Sequence, residues 1–297
     1  MRVFVTGATG FVGFGVAKEL IHAGHKVLGL ARSEAGARSL SEAGAEVQRG
    51  ALEDLESLRR GAADADAVIH TAFIHDFMNY GAAAEADRRA IEALGEVLLG
   101  SQRPLVITAG VARLAPGRTA TEDETLDLGA APVPRKSEPA AMALAARGVR
   151  AIVMRLPPSV HGQGDHGFVP RLVQIAREQG VSAYIGDGTN RWPAVHRSDA
   201  ARLYRLALDK APAGARLNAI ADEGVPIRDL AAVIGRRLGL PVVAKSAEEA
   251  QAHFGWLAPF LALDVPGSSA LTRERLGWQP TEPGLLADLD QPHYFET

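Results

Sequence analysis

The run Gly7-Ala8-Thr9-Gly10-Phe11-Val12-Gly13 stands directly after an apolar strand pattern and directly before an amphipathic helix pattern. Glycines at this spacing suit a tight turn that brings backbone N–H groups close to an anion, while the helix N-terminus offers the positive end of its dipole. The chemistry this serves is the grip of a dinucleotide's diphosphate, with Gly7, Thr9, Gly10, Phe11, Val12 and Gly13 as contacts. A glycine-rich turn without a ligand is the plainer alternative. The end of the second strand, about 20 residues further on, selects the dinucleotide, because an acid there would accept from the ribose 2′-hydroxyl of NAD. The chain has Ala31-Arg32-Ser33 instead. A guanidinium beside a hydroxyl suits the extra 2′-phosphate, so Arg32 and Ser33 predict NADP(H). Glu34 follows at once and offers Arg32 a competing partner on the surface.

Proton-handling side chains gather in two loops. His161 follows Leu156-Pro157-Pro158-Ser159-Val160 at the carboxyl end of a sixth strand, where open α/β sheets place ligands. The same loop brings Asp165 and His166, and the loop after the fourth strand brings His75 and Asp76. Each histidine alone also reads as a loop residue bonded to backbone. No ligand pair has a helical or finger spacing, so no metal is predicted. Phe73, Phe77, Tyr80, Phe168 and Trp192 fall near the same rim in a chain with 5% aromatics. They suit an apolar or aromatic small-molecule substrate, and packing beneath a second lobe explains them equally well. His75, Phe77, His166, Phe168 and Trp192 are the substrate-side candidates.

The elements that must position these residues alternate. Strands are predicted at Arg2 to Thr6, Lys26 to Leu30, Glu46 to Arg49, Ala67 to Thr71, Leu105 to Thr108 and Arg150 to Arg155. Helices are predicted between them, at Phe11 to His22, Glu34 to Ala43, Leu52 to Arg60, Ala82 to Leu99 and Glu138 to Arg147. That order is an α/β, doubly wound parallel sheet, a Rossmann fold. After Arg155 the pattern loosens around Pro157, Pro158, Gly162, Gly164 and Gly167, then helices return at Val169 to Glu178, Ser198 to Leu208 and Ile227 to Leu238. The predicted division is a nucleotide-binding domain over 1–160, rejoined by 191–212, with a smaller substrate lobe from 161–190 and 213–297.

Composition narrows the function classes. The chain has 297 residues, 47% hydrophobic and 23% charged, with a net charge of -3. That balance supports a full core and supplies no general attraction for nucleic acid or anionic lipid. With no cysteine, thiolate nucleophiles, thiolate metal sites and disulfides are excluded. The first strand begins at Arg2 and no segment offers about 18 uninterrupted apolar residues, so a cytoplasmic protein outside the membrane is predicted.

The Gly-x-x-Gly-x-x-Gly spacing resembles that of extended and atypical short-chain dehydrogenase/reductases, including the NAD(P)-dependent epimerase/dehydratase group. Val68-Ile69-His70-Thr71-Ala72 is similar to that group's cofactor-flanking fourth strand. Trp192 to Asp199 resembles its lead-in to a late helix, and Arg275-Leu276-Gly277-Trp278-Gln279-Pro280 resembles its closing segment. The resemblance implies further cofactor contacts at Leu52, Thr71, Ala72, Phe73, Thr108, Pro157 and Val160. It also implies a hydroxyl, a Tyr and a Lys for catalysis, the Tyr four residues before the Lys. Here the pattern departs: Lys136 stands near the Lys position, with Pro132 four residues earlier, Gly110 at the usual Ser position and Thr108 the nearest hydroxyl. Pro132 and Pro134 bar a regular helix through the segment. Since an alkoxide formed by hydride transfer needs a proton, Lys136, His161 and Thr108 are the catalytic candidates. The implied activity is NADP(H)-dependent reduction of a small carbonyl compound. A non-catalytic NADP(H)-binding regulator, and an epimerase or dehydratase that retains its cofactor, are the alternatives. Alanine-rich helices at 82–99 and 138–147 imply, by the same resemblance, a homodimer.

Overall fold

The computed structural model describes residues 1–296 apart from 77–78, 113, 116, 127–128 and 130–134. Phe77, Pro132 and Pro134 therefore lie outside the described residues. The first half of the chain alternates as its periodicity predicts. It runs β1 (Arg2–Thr6), α1 (Phe11–His22), β2 (Lys26–Ala31), α2 (Glu34–Glu42), β3 (Glu46–Arg49) and α3 (Leu55–Ala63). Next come β4 (Ala67–His70), α4 (Tyr80–Leu98), β5 (Pro104–Gly110), α5 (Ser137–Ala146) and β6 (Arg150–Leu156). The α3 helix starts three residues later than its apolar pattern suggests because the Asp54 carboxylate caps it, accepting from Ser57 N at 3.0 Å.

The second half mixes shorter pieces: β7 (Ser159–His161), α6 (Phe168–Gln179), β8 (Ser182–Ile185), β9 (Arg191–His196), α7 (Arg197–Lys210) and β10 (Arg216–Asn218). It continues through β11 (Asp222–Pro226), α8 (Ile227–Leu238), β12 (Val242–Lys245), α9 (Ala247–Phe254), α10 (Ala258–Leu261), α11 (Ala270–Leu276) and α12 (Leu285–Leu289).

Seven strands form one sheet in the order β10-β6-β5-β4-β1-β2-β3, and every neighbouring pair is parallel. Strands such as Val3 to Val5 and Val68 to Ile69 are wholly buried, as a sheet covered by helices on both faces requires. One face packs on α1 and α7 through Val16, Leu20, Leu203 and Tyr204; the other packs on α3, α4 and α5 through Leu58, Ile91, Leu94 and Leu144. Strand order reverses between β1 and β4, and ligands of open α/β sheets bind at such a switch point.

The lobe holds a three-stranded sheet, β11-β9-β7, and a two-stranded one, β12-β8, over a third core that includes Leu172, Trp192, Leu230 and Leu261. The domain division needs correcting in three places, the first being Arg191–His196, assigned to the nucleotide domain but built into the lobe's three-stranded sheet. Arg216–Asn218, assigned to the lobe, instead pairs with β6 as the seventh strand of the main sheet. Leu276 and Trp278 likewise join the nucleotide-side core, with Trp278 Nε1 donating to Asp199 O at 3.0 Å. A strand of three residues carries too little period to announce its sheet, so partners distant in sequence decide it.

Candidate active site

The phosphate loop closes at the switch point through Gly10 N donating to Gly7 O at 2.9 Å. Its three glycines do different work. Gly7 has φ +68°, and a Cβ there would stand 2.6 Å from Ala72 N. A Cβ on Gly13 would stand 2.1 Å from Gly7 O, so no side chain fits where α1 crosses the turn. For Gly10 the nearest atom to an added Cβ is Gly7 O at 3.3 Å, and nothing else lies within 4 Å. Gly10 is exposed and begins α1 without a side-chain cap, leaving the first-turn N–H groups at Phe11, Val12 and Gly13 without an intrahelical acceptor. This cradle fits a diphosphate, and a side chain at residue 10 would fill it. Thr71, at the end of β4, braces the turn by donating from Oγ1 to Thr6 O at 2.8 Å.

At the end of β2, Ala31 is buried while Arg32 and Ser33 are exposed. Ser33 Oγ accepts from Gly36 N at 3.1 Å and so caps α2, leaving its hydroxyl proton to give. Glu34 pairs with Arg49 at 3.0 Å rather than with Arg32. Arg32 thus has no carboxylate partner among the described residues. Arg49, which sequence reasoning missed, donates to Ser33 O at 2.7 Å. The parallel register that sets Ala31 beside Arg49 is the signal that would have found it. Leu52 is buried in the second core, Pro157 is buried, and Val160 is half-buried against the first core.

The three catalytic candidates are not brought together. Thr108 Oγ1 donates to His70 O at 2.8 Å and meets the Tyr204 hydroxyl at 2.6 Å, so Tyr204 is the donor of that second bond. His161 is fully buried; its Nδ1 lies 2.9 Å from Asp288 Oδ2, and its Nε2 has no partner among the described residues. Asp288 also accepts from the Tyr294 hydroxyl at 2.9 Å. Burial opposes the charge of Asp288, but its bonds to His161 and Tyr294 hold the carboxyl below its usual range. Lys136 turns outward to Glu85 at 3.4 Å. The residue beside it, Arg135, takes the inner place: its guanidinium lies 3.9 Å from the Phe73 ring centroid and bonds Asp87 at 3.1 Å. Asp87 is fully buried, and although burial raises its carboxyl, His70 and Arg135 hold it down at about 2.

The opening of the cleft is lined from two sides. His75 packs edge-on to Phe73 with centroids 5.3 Å apart, and burial together with Arg135 lowers its pKa. From the other side the loop after β7 folds over the phosphate loop, and His166 stands edge-on to Phe11 at 5.8 Å. His166 lies within electrostatic reach of both His75 and Asp165. Asp165 accepts from Gly167 N at 2.7 Å, and burial pushes its carboxyl up to about 6. Phe168 is half-buried and packs against Trp192, Trp256 and Phe260. Trp192, read as a lining residue, is fully buried behind Phe168 and supports it instead. Among the described residues no group of three or more His, Asp or Glu is placed to hold a metal, and no helix is long and apolar enough to cross a membrane.

Comparison with known proteins agrees with this geometry. A model of the NAD dependent epimerase/dehydratase family matches residues 3–101. An uncharacterized protein of Schizosaccharomyces pombe is 51% identical over 297 residues, spanning 99% of this chain and 100% of the relative. The chain belongs to the NAD dependent epimerase/dehydratase family. Within the family, the 2-alkyl-3-oxoalkanoate reductase of Stenotrophomonas maltophilia is 28% identical over 270 residues, covering 83% of this chain and 78% of that one. The solved structure of DesIV, the dTDP-glucose 4,6-dehydratase of Streptomyces venezuelae with NAD and TYD bound, shares the fold. Its TM-score is 0.77 at 19% identity, over 98% of this chain and 95% of that one. The family member described here is thus akin to reductases, epimerases and dehydratases.

Proposed function

We propose that this family member is an NADP(H)-dependent oxidoreductase that reduces a small carbonyl compound by hydride transfer. The observation that carries the reading is the pairing of an open Gly10 cradle with an Arg32 that no carboxylate among the described residues engages. When bound, the dinucleotide supplies the hydride. The chain supplies the rest: the α1 N-terminus holds the diphosphate, Arg32 and Ser33 hold the 2′-phosphate, and the cleft wall of Phe73, His75, His166 and Phe168 orients the substrate. Proton delivery to the alkoxide falls to His75, Asp165 and His166 at the rim, because Thr108 and Lys136 are engaged elsewhere and His161 is fully buried on Asp288. The reductase name of the Stenotrophomonas relative supports the same direction of chemistry.

The engagement of Thr108 and Lys136, with His161 buried on Asp288, favours a second reading, a protein that binds NADP(H) without turnover. Two measurements separate the readings and test the cofactor. Replacing Arg32 by Ala is expected to weaken NADPH about 10- to 100-fold and leave NADH unchanged, whereas equal loss for both would defeat the 2′-phosphate assignment. Purified protein is expected to oxidise NADPH with at least one member of a panel of aldehydes and ketones. Tight binding with no turnover across the panel would select the binding protein instead.

A further inference from the structure

Against the first turns of α1, next to the phosphate loop, lies a cation that neither the glycine motif nor the cofactor-selecting arginine accounts for. Arg197 is the first residue of α7 and comes from the far side of the chain in sequence. Its side chain runs along the first turns of α1, where a Cβ on Gly15 would stand 2.9 Å from Arg197 Cγ and 3.0 Å from Cδ. Its guanidinium carbon lies 4.6 Å from the centroid of the Phe11 ring, at the first residue of α1. The arm therefore needs the missing side chain at residue 15. A glycine inside a helix costs about 1 kcal/mol against alanine, so Gly15 is a concession that the arm explains.

Arg197 is half-buried and has no ion pair or hydrogen bond from its guanidinium among the described residues. Other half-buried arginines behave differently. Arg150 is bonded to carbonyls, Arg202 pairs with Asp199 and Glu282, and Arg205 pairs with Glu19. The acid that acts on Arg197 is Asp165, whose own carboxyl is pushed up by burial. A partly desolvated guanidinium on the ring of Phe11, the first residue of a helix whose N-terminus has no side-chain cap, is arranged for an anion that arrives from outside.

We propose that Arg197 is a clamp on the diphosphate of the bound dinucleotide, laid across α1 by Gly15 and steadied by Phe11. The proposal rests on the reading of the phosphate loop as a dinucleotide site and adds to it a charge that is blind to the 2′-phosphate. The signature is therefore opposite to that of Arg32: loss of affinity without loss of selectivity.

The test is titration of NADPH and NADH into wild type, Arg197→Met, Gly15→Ala and Arg32→Ala, followed by binding heat, with thermal melts to confirm each fold. Arg197→Met keeps the stem and removes the charge; it is expected to weaken both cofactors by the same factor, about 10- to 100-fold, so that their ratio stays at the wild-type value. Gly15→Ala, which displaces the arm, is expected to act in the same direction and less, by about threefold to tenfold. ADP-ribose, which carries the diphosphate without nicotinamide, is expected to lose affinity in Arg197→Met as the full cofactors do. If wild type binds cofactor and folded Arg197→Met binds NADPH, NADH and ADP-ribose as wild type does, the clamp is refuted while the dinucleotide site stands. A loss confined to NADPH would also refute it, because the charge would then serve the 2′-phosphate. If wild type binds none of the three ligands, the dinucleotide reading fails and the clamp with it.

Discussion

The two ends of the cleft are built on opposite plans. At the phosphate end the polar groups are left open: the first-turn N–H groups of α1 have no side-chain cap, and among the described residues Arg32 has no carboxylate partner and Arg197 no bonded counter-ion. At the β5 end the polar groups are closed on one another, Thr108 on His70 and Tyr204 and Asp87 on His70, Arg135 and Ser137, while at β7 His161 is tied to Asp288 through Nδ1 and keeps a buried, unpartnered Nε2 among the described residues. An open polar group is held ready for a ligand; a closed one holds the fold, and removing one partner strands the other. The difference teaches that recognition of the dinucleotide is written into the protein's unsatisfied groups. The proposed proton donors stand apart from that closed network, at the rim, where burial shifts His75 down and Asp165 up.

The sharpest way to break this contrast lies inside the glycine loop itself. Gly13→Ala forces a Cβ to within 2.1 Å of Gly7 O, and should cost about 3 kcal/mol of stability along with binding. Gly10→Ala meets only Gly7 O at 3.3 Å and should cost less than about 1 kcal/mol, yet weaken NADPH about tenfold or more. Urea melts and cofactor titrations on the two variants check this, and equal stability losses would show that Gly10 is structural too.

An effect of at most the size expected at Gly13, and confined to one side of a pH window, comes from Asp165. Its folded value of about 6 is above the ordinary 3.8, so the native state holds the proton more tightly than the unfolded chain does. The stability this proton brings is full below about pH 4 and is lost as pH rises toward about 6, and the loss stays constant above that. Asp165→Asn removes the titration. It should match wild type near pH 4 and exceed it at pH 8 by up to about 3 kcal/mol. A variant less stable than wild type at pH 8 would mean that the carboxylate is held by a partner the cleft needs.

The smallest effect is expected at Lys136. Its ion pair with Glu85 is about half exposed on both sides, so Lys136→Ala should change stability by less than about 1 kcal/mol and leave cofactor affinity alone. A large fall in turnover without a change in affinity would return Lys136 to the catalytic group.

Legibility in the sequence follows the range of the signal. The strand, glycine turn and helix around Gly7 to Gly13 are contiguous, so their periodicity and turn chemistry show without a structure. The same holds for Arg32 and Ser33 at the end of β2. What stayed hidden is made by pairing at a distance. Thr108 meets Tyr204 from 96 residues away, and His161 meets Asp288 from 127. A hydroxyl or imidazole that looks free along the chain is spoken for in the fold. Arg49 and Arg197 reach the nucleotide end only through the β2–β3 register and the crossing of α7 over α1. Arg135 rather than Lys136 turns inward to Asp87 just before α5 begins at Ser137, a choice of one residue that no period decides.

The central claim is that the open groups at the phosphate end bind a phosphorylated nicotinamide dinucleotide. Calorimetric titration of the intact, folded protein with NADPH and then NADH tests it most directly. Saturable heat is expected for both, with NADPH the tighter ligand by about tenfold or more. Absence of saturable heat with either dinucleotide would contradict the account.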